Sequence, residues 1–115
     1  MEFPVLKPFI AYEVFFHELH HNEIMERTTL LLFTKENKLY FSDLHPNGTD
    51  VYECYDHNGI RHLMYVCART RRYCCLKRDN DTAMNTNITK IYETGTNKLV
   101  FTNSFDHAFD IGVIE

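Results

Sequence analysis

The sequence predicts an α+β, β-rich domain: a small, mainly antiparallel sheet of hairpins, with a short N-terminal helix as an open alternative. Three observations carry this. Short runs of β-branched and aromatic residues recur along the chain, and such residues suit a pleated, half-buried surface. Tight polar turns separate them, among them Asn47-Gly48 and Asn58-Gly59, where positive φ is easily adopted. Nowhere is there the long crossover that parallel strands require.

The 115 residues read as a single domain spanning residues 1–115, large enough to bury one core without staples. Apolar residues make up 44%, which places the chain among globular rather than disordered sequences. Sixteen residues are aromatic (nine Phe and seven Tyr). That is many for one small core, so some are expected at an interface.

In chain order, Pro8 to Phe16 supports two readings. As a strand it sets Ile10, Tyr12, Val14 and Phe16 on one face; as a helix it lines up Ile10, Val14, His17, His21 and Ile24. Aromatic and β-branched density favours the strand up to Phe16, while Glu18–Arg27 favours a helical turn or short helix. Thr29–Thr34 and Lys38–Asp43 then read as a hairpin around Lys35-Glu36-Asn37. Asp50–Asp56 and Ile60–Ala68 flank the Asn58-Gly59 turn. Arg72–Arg78 is a further strand, and Asp79–Asn87 is polar loop. Ile88–Glu93 and Lys98–Thr102 form the last hairpin around Thr94-Gly95-Thr96-Asn97, and the apolar tail Phe105–Ile114 is expected to dock on the body.

The net charge of −4 hides an asymmetry. Residues 67–78 carry Arg69, Arg71, Arg72, Lys77 and Arg78 and no acid, leaving seven cations against sixteen acids in the rest. A local basic hairpin on an acidic body is a candidate nucleic-acid contact: guanidinium forks suit phosphate, and Tyr65 and Tyr73 could stack on bases. The alternative is a solvated loop whose cations meet the protein's own carboxylates.

The same stretch holds three of the four cysteines. If Leu63–Cys67 and Arg72–Lys77 pair around Arg69–Arg72, with Cys67 opposite Cys75, two thiols lie on one face within a few ångströms. Zinc ligands are often presented in that way. A structural zinc needs two more, and His107 is best placed by chain order. The competing reading treats the cysteines as small buried hydrophobes, with Cys74 and Cys75 on opposite faces of one strand.

Tyr65-Val66-Cys67, the seven residues to Cys75, and the later His107-Ala108 resemble the FLYWCH-type zinc finger. The resemblance spans roughly residues 39–108. It implies a small antiparallel sheet holding one zinc through Cys67, Cys75 and His107, in a family whose members bind DNA or act in chromatin- and virus-associated proteins. Tyr65 stands at the family's Trp position and Phe105 at its first histidine, so the fourth ligand is unassigned among Cys54, Cys74, His57 and His62.

One further motif stands apart. His17-Glu18-Leu19-His20-His21 matches H-E-x-x-H, which on a helix presents two zinc ligands and a general base. The N-terminus lacks the basic-then-apolar pattern of a leader, and no apolar run is long enough to span a membrane. The expectation is a non-enzymatic, intracellular protein, nuclear or cytoplasmic, with no membrane partner. It would bind zinc and, through the basic hairpin, DNA or a chromatin-associated partner. The main alternative is a metal-free interaction or assembly module, a homo-oligomer joined through exposed strand edges or aromatics. An H-E-x-x-H metalloprotease is the third.

Overall fold

A computed structural model describes residues 4, 6–33, 40–42, 49–67, 74–78, 81 and 86–103, with the backbone alone at 40–42, 49 and 67. Eight strands form one sheet: β1 (Ala11–His20), β2 (Glu23–Phe33), β3 (Tyr40–Ser42), β4 (Thr49–Asp56), β5 (Arg61–Cys67), β6 (Cys74–Arg78), β7 (Thr86–Glu93) and β8 (Lys98–Thr102). Their order is β6-β5-β4-β2-β1-β7-β8, with β3 added to β4. Every pairing is antiparallel. No helix occurs among the described residues.

The expected turn or helix at Glu18–Arg27 is instead the tip of a long hairpin. His20 pairs with Glu23, and the two residues between them, His21 and Asn22, both have positive φ (49° and 65°). Such a two-residue loop follows the right-handed twist of the strands it joins, and Asn and His are among the residues that tolerate this conformation.

A second correction concerns β3. It pairs with β4, not with β2 as the expected hairpin around residues 35–37 would require. The reason lies in edge occupancy. β1 lies along one edge of β2, β4 takes the other edge at Leu31–Phe33, and β3 takes the stretch of β4 that β2 leaves open. The other two hairpins form where the turn chemistry placed them. Gly59 has φ 78° in the β4–β5 turn, and Asn97 has φ 56° between β7 and β8.

Alternation along each strand selects one face for the core. Tyr12, Val14, Leu31, Phe33, Tyr52, Cys54, Met64, Val66, Cys74, Leu76, Ile88, Ile91 and Phe101 form a single buried cluster, closed at one side by Leu6. All seven strands of the main order contribute to it. A flat sheet could not bring its two end regions into one cluster, so the sheet curls, and β6 comes to lie against β7. The seam is made by a side chain: Thr86 Oγ1 accepts from the Leu76 amide (2.8 Å) and donates to the Leu76 carbonyl. Each of the larger apolar side chains contributes about 1.5–3 kcal/mol by leaving water, with edge-to-face ring contacts joining Tyr12 to Phe33 and Phe33 to Tyr52.

Candidate functional site

The residues singled out from the sequence are dispersed by the fold. In the β5–β6 ladder Cys75 faces Tyr65, and Cys74 faces Val66. Cys67 is therefore two residues further along β5 rather than opposite Cys75, a correction to the expected register. Cys74 and Cys75 do take opposite faces. Cys74 belongs to the main core, and Cys75 to a small cluster on the outer face with Val51 and Tyr65. Burial pushes the Cys75 thiol up to about 12. Burial also raises the Cys74 thiol, with the neighbouring Cys75 adding to the shift. Cys54 is also raised, by burial first and then by Glu53 and Asp56; its thiol donates to the His62 carbonyl (3.5 Å). Burial favours the neutral thiol at all three positions. Among the described residues no group of three or more His, Cys, Asp or Glu side chains is arranged to hold a metal. His107, Arg69, Arg71 and Arg72 lie outside the described residues.

The two basic residues that are described do not form a patch. Lys77 faces Leu63 on the outer face. Arg78 faces His62 at the end of the inner face, where its Nε lies 3.5 Å from Asp81. The H-E-x-x-H motif is likewise taken apart. Its residues occupy an extended strand and its turn, so Glu18 points to the inner face while His17 lies on the outer face, 3.6 Å from Glu26. The helical geometry that a metalloprotease needs is absent here.

Two other features are left by the curl of the sheet. The first is a polar mouth of about 210 Å³ at one end of the core, lined by Glu18, Asp56, His62, Arg78, Asp81 and Thr86 over an apolar floor of Phe16 and Leu76. Asp56 organises it. One carboxylate oxygen accepts from the backbone amides of Asn58 and Ile60 (2.9 and 3.0 Å), the other meets His62 Nε2 at 2.9 Å. The hydrogen bond from His62, together with those two amides, holds the Asp56 carboxyl below its ordinary value against the opposing effect of burial. Among the described residues His62 Nδ1 is buried without a partner. No nucleophile among the described residues joins this pair: the Cys54 thiol donates to the His62 carbonyl and Thr86 Oγ1 serves the seam. The sequence named His62 only as a spare ligand, although an Asp preceding His-Asn-Gly is a signal for a side-chain-capped turn.

The second feature is the distal half of β2. β4 covers only Leu31–Phe33, so the edge of Glu23–Leu30 that faces away from β1 pairs with no strand among the described residues. This open stretch is eight residues long, about 27 Å at the usual strand rise. Glu23 through Thr28 are all exposed, and the segment shows Ile24 (55%), Leu30 (43%) and Met25 (36%) to solvent.

Hairpin geometry fixes which backbone groups the edge presents. The closing pair of a two-residue loop is hydrogen-bonded. Glu23, Met25, Arg27 and Thr29 therefore direct their amides and carbonyls to β1, and Ile24, Glu26, Thr28 and Leu30 direct theirs outward.

No helix among the described residues is long and apolar enough to cross a membrane. No known family model matches the chain, and no curated protein or solved structure is similar to it.

Proposed function

We propose that this protein is a non-enzymatic assembly module that joins a partner by strand addition at the free edge of β2. The observation that carries this reading is the eight-residue open stretch Glu23–Leu30 with exposed apolar side chains beside it. A row of unsatisfied backbone donors and acceptors is a template for another extended segment. Proteins that avoid such pairing cover or shorten the edge. Here it is long, and Ile24 and Leu30 on the outer face offer an incoming strand apolar contacts.

The zinc-dependent, DNA-binding reading draws its cations and ligands from residues 67–78 and His107. Of these, the described side chains, Cys75, Lys77 and Arg78, sit in three separate environments. The geometry favours the strand edge.

Glu26→Pro tests the proposal. It removes an outward-facing amide and adds a ring on the edge without breaking a bond to β1. The variant should melt within a few degrees of wild type and lose the complexes that the wild-type chain forms, whether with itself or with another extended segment. Complexes retained at wild-type strength by a folded Glu26→Pro would refute strand addition.

A further inference from the structure

We propose that the strand received by the β2 edge is β2 of a second copy of this chain, related by a two-fold axis that passes beside Met25. This rests on the strand-addition reading and adds the partner, the symmetry and the register.

Symmetry first restricts the choices. Residues directly opposite in an antiparallel ladder point to the same face, and neighbours along a strand alternate. A two-fold axis perpendicular to the sheet preserves the face, so it can pass only where one residue opposes its own copy. The candidate centres are therefore single residues of the open stretch.

Charge and space then choose among them. An axis at Glu26 opposes two carboxylates, and one at Arg27 opposes two guanidinium groups. Like charges directly opposite are destabilising. The Arg27 axis also drives the partner's Asn22 and Glu23 against Leu32 and Leu31, where β4 already lies, and an axis at Thr28 drives it further. An axis at Ile24 leaves few opposed residues before the turn.

An axis at Met25 has none of these defects. It sets Glu23 opposite the partner's Arg27 and Arg27 opposite the partner's Glu23, with Met25 facing its own copy between them. The partner's turn then falls opposite Thr28 and Thr29, inside the open stretch. Glu23, Met25 and Arg27 share the inner face, and on this edge their pairs are the closely spaced, non-hydrogen-bonded kind. Ile24 and Glu26 supply about four backbone hydrogen bonds in exchange with the partner's Glu26 and Ile24. Arg27 lies along its own strand toward Met25, its Nη2 3.8 Å from Met25 Sδ, and its Nε contact with Glu18 of β1 is a loose 3.8 Å that the partner's Glu23 would replace. The contact spans Glu23–Arg27 of each copy, more than the Ile24 axis allows but still in the small, transient class of interfaces, so it forms in concentrated solution.

Single-cysteine variants at Ile24, Met25 and Glu26 read the register directly under mild oxidation of concentrated protein, with wild type alongside as the background. Met25→Cys should form disulfide-linked dimer at least about tenfold faster than the other two, because only there do the two Cβ atoms meet across the axis. In sedimentation, Glu23→Arg and Arg27→Glu should each abolish the concentration-dependent dimer, and the double exchange should restore it.

Crosslinking that peaks at Glu26→Cys, or a double exchange that fails to restore a dimer, would overturn the Met25 axis. Absence of any dimer at high concentration would overturn the second copy as partner. That result is separable from failure of strand addition itself, which Glu26→Pro tests on any complex that wild type forms.

Discussion

Among the described residues the outer edge of β6 and the distal edge of β2 both lack a complete backbone ladder, and the molecule treats them in opposite ways. The outer edge of β6 is closed against β7 by one hydroxyl, Thr86 Oγ1, which serves both the amide and the carbonyl of Leu76. The distal edge of β2, Glu23–Leu30, has no strand beside it among the described residues. The difference follows from what each strand turns inward. β6 contributes Cys74 and Leu76, both buried in the core, so closing that seam removes apolar surface from water. The distal inner face of β2 carries Glu23, Met25 and Arg27, whose burial would require desolvating charges. A strand closes where its inner face is apolar and remains available where it is not.

Thr86→Val tests the closed side and carries the largest expected effect. The substitution keeps shape and leaves the Leu76 amide and carbonyl buried without partners, a loss of about 2–4 kcal/mol. Denaturant unfolding measures it. The seam would become a second open edge, so the variant should also show faster hydrogen exchange through β6. A change below about 0.5 kcal/mol, the range of an ordinary surface substitution, would mean that packing alone holds β6 to β7.

The point at which the open edge begins is set by Asp56, the last residue of β4, which faces Leu31. Its carboxylate is held in place by His62 and by the amides of Ile60 and Asn58, and its folded-state pKa lies below the ordinary 3.8. The folded protein therefore binds this proton less readily than the unfolded chain. The contribution to stability is fully present above the unfolded value and is lost as pH falls below about 4 through the folded value. Asp56→Asn should be less stable than wild type near pH 6, and the gap should narrow as both are taken below pH 4. A gap that is constant across this range would show that the ionised carboxylate is not what secures the turn.

Legibility in the sequence followed the turns. Asn58-Gly59 and Thr94–Asn97 announced their hairpins, because a residue with positive φ marks the reversal. The β1–β2 hairpin was hidden. His21-Asn22 makes the same kind of turn with less usual residues, and Glu23–Thr28 is exposed on both faces, so no alternation of burial marks it as strand. The partner of β3 was illegible for another reason: the choice between β2 and β4 depends on which edges remain free once the whole sheet has formed. The Cys67–Cys75 register failed by two residues because loop length, not side-chain preference, sets a hairpin's register. The sequence raised assembly through strand edges from its surplus of aromatics, but the edge now proposed, Glu23–Leu30, carries none. Which edge is free required the topology.

The smallest expected effect separates the open edge from the closed one most directly. Ile24→Thr alters a side chain that is 55% exposed on the outer face of β2. Thr keeps the β-branch that suits a strand, so the change removes apolar surface with little effect on backbone preference. Its cost to monomer stability should stay below about 0.5 kcal/mol, well under the 2–5 kcal/mol of a large-to-small change at a buried methionine such as Met64. Association should weaken nonetheless, because Ile24 lies among the residues that supply the edge's outward backbone bonds and its side chain would be covered by the incoming strand. A loss of stability approaching that of Met64→Ala would place Ile24 within the monomer's own core, and the contrast between the two edges would then fail.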